Sequence, residues 1–116
     1  MLKRIALVVM AVSLPLAAFD ISGKWQFTVD TDAGSGSPTF VFKQDGEKLS
    51  GTYSGLFGTA QLTGTVKGDA IEFSFEAAVQ DQKGKIVYTG KIESATKMSG
   101  EVDLAGAAKG KWTGTK

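Results

Sequence analysis

The chain has 116 residues, 13 lysines and arginines against 12 aspartates and glutamates, and neither cysteine nor histidine. That composition excludes disulfides, thiolate and imidazole metal sites, haem-ligating histidines, and Ser-His or Cys-His catalytic pairs. Charges of both signs are interspersed, so no nucleic-acid groove is expected, and the length suits one small domain.

In chain order, Met1-Leu2-Lys3-Arg4 is a basic start, followed by an apolar run from Ile5 to Ala18 broken only by Ser13 and Pro15. This is the layout of a secretory signal peptide. The run falls short of the ~20 residues that cross a bilayer as a helix. Cleavage after Ala18 is expected, leaving residues 19–116 as a single domain with no membrane span. Losing Lys3 and Arg4 takes the basic residues from 13 to 11 against 12 acidic ones, a net charge of −1. Export of a cysteine-free chain points to a bacterial periplasm or the medium.

The remainder reads as eight short alternating strands: Gly23–Val29, Thr39–Gln44, Lys48–Tyr53, Thr59–Lys67, Ala70–Ala78, Lys85–Glu93, Lys97–Leu104 and Gly110–Thr115. Five carry one pattern, an apolar residue, Ser or Thr, then Gly, as in Leu49-Ser50-Gly51 and Leu62-Thr63-Gly64. Asp45-Gly46, Lys67-Gly68-Asp69 and Ser94-Ala95-Thr96 read as tight turns. They alternate with longer links at Asp30–Ser37, Ser54–Gly58, Gln80–Gly84 and Ala105–Lys109. One end of an up-and-down meander is therefore expected to be closed by turns and the other rimmed by loops. An open eight-strand sheet would expose two unpaired edges. Pairing the first and last strands, which share Gly-Lys-Trp, removes both. The expected fold is all-β: an eight-stranded antiparallel meander closing into a small barrel.

Parity lists the inward side chains. Trp25, Phe27, Phe40, Phe42, Phe73, Phe75, Tyr88 and Trp112 are expected in the barrel core, with Gly51, Gly64, Gly90, Gly100 and Gly114 making room for the rings. The outward residues, among them Lys24, Lys43, Glu72, Glu76, Lys91 and Glu101, are too polar for an outer-membrane barrel. The strand carboxylates point outward and do not converge, so no catalytic residue, metal or cofactor is expected. Asp30-Thr31-Asp32-Ala33-Gly34-Ser35-Gly36 places oxygens at alternate positions, as calcium loops do, but lacks a third and a closing acidic residue. It reads as a solvated loop. Ser54-Gly55-Leu56-Phe57-Gly58 puts two apolar side chains in a link. Tyr53, Leu56 and Phe57 are the candidate ligand contacts, and a plug for the barrel end is the plainer reading of the last two.

Gly23-Lys24-Trp25 on the first strand, followed by Leu49-Ser50-Gly51-Thr52-Tyr53, resembles the opening of calycins, the lipocalins and avidins. The resemblance covers about the first third of the exported chain and implies a ligand-binding barrel, with Tyr53 at the position of a tyrosine that contacts biotin. Phe27 and Gly55 stand where avidin-like proteins have polar ligand residues. Their cage tryptophans and buried aspartate have no match, so avidin-like affinity for biotin is not expected. The expected function is that of a secreted, non-enzymatic barrel binding a small apolar ligand or a protein partner at its loop end. The alternative is an inhibitor or accessory module of a secreted enzyme.

Overall fold

Strand-length runs with an apolar residue at every second position pair edge to edge, burying one face and satisfying each other's backbone groups. In the computed structural model, which describes residues 19–79 and 81–116, they form nine strands; the expected signal peptide lies outside those residues. The strands are β1 (Gly23–Thr31), β2 (Gly34–Gly36), β3 (Thr39–Asp45), β4 (Lys48–Gly55), β5 (Gly58–Lys67), β6 (Ala70–Val79), β7 (Gln82–Ser94), β8 (Lys97–Leu104) and β9 (Ala108–Thr115). Each long strand pairs with its sequence neighbour, and β9 pairs antiparallel with β1, which closes the sheet into a barrel. Trp112 sits opposite Val29, so the two Gly-Lys-Trp strands are adjacent.

The eight expected strands are all present, and the short β2 is an addition. Thr31, Asp30 and Val29 pair with Gly34, Ser35 and Gly36, so the segment read as a solvated loop is a hairpin. Its turn is held locally: the Thr31 hydroxyl donates to the Gly34 carbonyl at 2.8 Å and accepts from the Ala33 amide at 3.1 Å. The Ser35 hydroxyl donates to Asp30 Oδ1 at 3.0 Å. The links expected to be long are short for the same reason. Gly55 pairs with Gly58, and Val79 with Gln82, so the ladders run on into the links. Each added pair satisfies backbone groups that a loop would leave to water.

At the opposite end, Gly46 (φ 65°) and Gly68 (φ 63°) each take the first central position of a two-residue hairpin turn. Neither Glu47 nor Asp69, the second central residues, has positive φ, which fits a turn with glycine required at its first position. The segment before β1 covers this end. Ile21 is fully buried, and its carbonyl accepts from Trp25 Nε1 at 2.8 Å. The Gln44 side chain accepts from the Ile21 amide at 2.9 Å, while the Gln44 amide donates to the Ser22 hydroxyl at 2.9 Å.

The interior is filled by rings set against glycines. Gly51 lies opposite Phe42, Gly64 opposite Phe73, Gly100 opposite Trp112 and Gly114 opposite Phe27. A ring over a bare backbone lets two large side chains share a barrel only eight strands round. Phe27 is central, stacked on Trp112 with centroids 4.6 Å apart and 4.5 Å from Phe40. Trp112 lies across the Gly90–Gly100 pair and donates its indole N–H to the Glu101 carbonyl at 2.9 Å and the Thr89 carbonyl at 3.2 Å. Trp25, Phe40, Phe42, Phe73, Phe75 and Tyr88 are also buried.

Candidate functional site

The β1–β2 hairpin and the β4–β5 turn flank an apolar cleft at the end of the barrel away from Ile21. It has a volume of about 90 Å³ and is lined by side chains that include Val29, Pro38, Tyr53, Leu56, Phe57, Tyr88 and Leu104. None of its lining residues carries a charge. Larger depressions, such as one of about 560 Å³ beside Thr89, Glu101 and Lys111, lie on the polar outer wall and are open to solvent.

The three candidate contacts meet here. Tyr53 is buried, its ring stacked on Phe75 at 4.3 Å. Its hydroxyl accepts from the Phe57 amide at 3.2 Å, tying the turn to the barrel wall. The side chain curls back over Gly55, where a Cβ would fall 2.6 Å from the Tyr53 oxygen and 3.0 Å from Pro38 Cβ. Any larger residue at 55 would push that oxygen away. Phe57 is half-buried and packs on the core. Leu56 is 78% exposed and reaches across to β2, where a Cβ on Gly36 would lie 3.1 Å from Leu56 Cδ1. Phe57 therefore closes part of the barrel end, and Leu56 forms a lip over the cleft.

Tyr88, read from the sequence as a core ring, forms part of the cleft floor. Its ring stacks on Phe73 at 4.9 Å and meets Phe40 edge-on at 5.3 Å. Its hydroxyl makes no hydrogen bond to any described residue. Burial, with a smaller contribution from the neighbouring Tyr53 phenol, holds it protonated well above the ordinary phenol value of 10.0. Burial raises Tyr53 as well, partly offset by the bond from the Phe57 amide. Both groups are thus neutral O–H donors at physiological pH. Val29, Pro38 and Leu104 complete the site and carried no sequence signal beyond apolar character. Among the described residues, no three Asp or Glu side chains gather as a metal-ligating group.

No protein-family model and no curated protein matches the sequence. Among solved structures, the chain is similar to a redesigned β-barrel, b11L5F_LGL, with a TM-score of 0.68 and 15% identity over 83% of this chain and 90% of that one. It is also similar to the redesigned β-barrel mFAP1 bound to DFHBI, at a TM-score of 0.66 and 17% identity over 83% of this chain and 94% of that one. A third likeness is to mFAP0 bound to DFHBI, at a TM-score of 0.56 and 15% identity over 83% of this chain and 98% of that one. At these identities the likeness is one of fold, and the chain is a small antiparallel β-barrel.

Proposed function

We propose that the protein is an exported, non-enzymatic barrel that holds a small, largely apolar ligand at the end formed by the β1–β2 hairpin and the β4–β5 turn. The observation that carries this reading is the uncharged apolar cleft beneath the exposed lip of Leu56. Ligand sites are concave, mostly apolar, and found in the mouths of barrels. Support also comes from mFAP1 and mFAP0, similar in fold and bound to DFHBI, and from the calycin-like Gly23-Lys24-Trp25 opening.

Size limits the affinity. An apolar cavity of about 150 Å³ takes a benzene-sized molecule. The cleft, at about 90 Å³, seats one end of a ligand and leaves the rest beyond Leu56. An affinity of ~10 µM or weaker, no better than about −7 kcal/mol, is expected. Calorimetry with DFHBI, biotin and small aromatics tests this. Leu56→Asp should weaken any binder by about ten-fold, the worth of a buried leucine contact at its low end. Nanomolar binding would contradict a filled interior, and binding unaffected by Leu56→Asp would place the site elsewhere.

The exposure of Leu56 also favours a second reading, in which the same lip contacts a secreted protein as an inhibitor or accessory module would. Export has its own test. The intact mass of protein recovered from its native periplasm or medium should lack residues 1–18, and full-length protein confined to the cytoplasm would refute it.

A further inference from the structure

The Tyr88 hydroxyl stands apart from the other polar groups on buried rings. Trp25 donates to the Ile21 carbonyl, Trp112 donates to two carbonyls, and the Tyr53 oxygen accepts from the Phe57 amide. Tyr88 is 3% exposed, lines the cleft, and has no hydrogen-bond partner among the described residues. A buried hydroxyl left unpaired costs about 1–3 kcal/mol, a cost that phenylalanine in the same place would avoid. Buried polar groups without a protein partner call for an explanation, and here the cleft offers one: the partner comes from outside.

We propose that the cleft selects uncharged ligands carrying a hydrogen-bond acceptor, such as a ketone, ester or amide carbonyl, with Tyr88 as the specificity-determining donor. The proposal rests on reading the cleft as a ligand site. Three observations narrow the class. Both tyrosine hydroxyls stay protonated, and the Tyr53 hydroxyl is already engaged by the Phe57 amide, so Tyr88 is the donor left to meet a ligand acceptor. No cation lines the cleft, so a carboxylate placed inside would lose its hydration with no counter-charge. The remaining wall is apolar at Val29, Pro38, Phe57 and Leu104, which suits the hydrocarbon next to a carbonyl.

Three probes of similar shape separate these features: acetophenone, ethylbenzene and benzoate, titrated by protein-observed NMR against the wild type and Tyr88→Phe. Acetophenone is expected to bind about five-fold or more tightly than either other probe, the worth of about one hydrogen bond. Tyr88→Phe should abolish the preference over ethylbenzene, leave ethylbenzene binding unchanged, and melt no lower than the wild type because it removes an unpartnered group. Equal binding of acetophenone and ethylbenzene by the wild type overturns the proposal but leaves the cleft a ligand site. So does a preference that survives Tyr88→Phe, or tightest binding of benzoate. Failure of all three probes to bind overturns the reading of the cleft itself, and the proposal with it.

Discussion

Gly64→Val and Gly90→Val are each expected to destabilise the barrel by about 3 kcal/mol or more, at the upper end of the usual overpacking penalty. A Cβ on Gly64 would run into the Glu72 carbonyl oxygen and lie 2.6 Å from both Cα and Cβ of Phe73. A Cβ on Gly90 would run into the Ser99 carbonyl oxygen and lie 2.6 Å from Trp112 Cζ2. Neither obstacle is the free end of a flexible side chain. The carbonyls belong to neighbouring strands, and Trp112 is fixed by its stack on Phe27 and its two indole hydrogen bonds. Relief therefore requires strands to part. Thr52→Val, at an exposed position, should change stability by no more than about 0.5 kcal/mol. Urea denaturation of the three variants gives the comparison. Equal losses at all three sites would mean that the inward and outward faces are misassigned.

Phe27→Ala should cost about 3–5 kcal/mol, the range for deleting a buried ring that neighbours cannot collapse to replace. Phe27 is fully buried, with Phe40 and Trp112 within 4.6 Å and Phe42, Phe73 and Tyr88 within 6.3 Å, centroid to centroid. Its neighbours are themselves stacked in pairs, Phe73 on Tyr88 and Phe40 on Phe42, so moving one ring into the gap breaks a second contact. Domains of this kind are stable by only about 5–15 kcal/mol, so the variant should unfold at a much lower urea concentration. Phe27→Leu, which keeps more of the volume, should lose clearly less. A loss below about 1.5 kcal/mol for Phe27→Ala would show that the ring network is loosely packed.

The core was legible because strand parity is a strict code. Once Trp25 and Phe27 face inward, Gln26 and Thr28 must face out, and the glycines at 51, 64, 100 and 114 fall on the ring side of their strands. Closure was legible from an argument about edges rather than from any residue pair. The β1–β2 hairpin was not, because Gly34-Ser35-Gly36 has no apolar alternation and its pairing is held by Thr31 and Ser35 hydroxyls. The links at that end read as longer than they are for the same reason: Gly55 and Gly58 signal a turn by composition but pair as strand residues, and the β6–β7 ladder likewise runs on to Gln82.

The cleft was half legible. Leu56 and Phe57 stood out as apolar residues in a turn, and Tyr53 as an inward hydroxyl. That the Tyr53 side chain folds back over Gly55 depends on the path of β4, which the sequence does not encode locally. Tyr88, like Tyr53, is an inward hydroxyl by parity, and the plainer reading of both is a core tyrosine with its hydroxyl satisfied. What separates Tyr88 is a hydroxyl without a partner among the described residues, on a residue that lines the cleft, a property of several strands and turns together.

The account rests on a barrel packed at its Ile21 end and on the proposal that a small molecule enters beneath Leu56. Amide chemical-shift mapping with acetophenone tests this most directly. The account predicts saturable shifts, with an affinity of ~10 µM or weaker, centred on Val29, Gly36, Tyr53, Phe57, Tyr88 and Leu104, and little change at Ile21, Trp25, Ile92 and Met98. Shifts centred on Trp25 and Met98, or nanomolar saturation, would contradict it by showing that the interior is hollow.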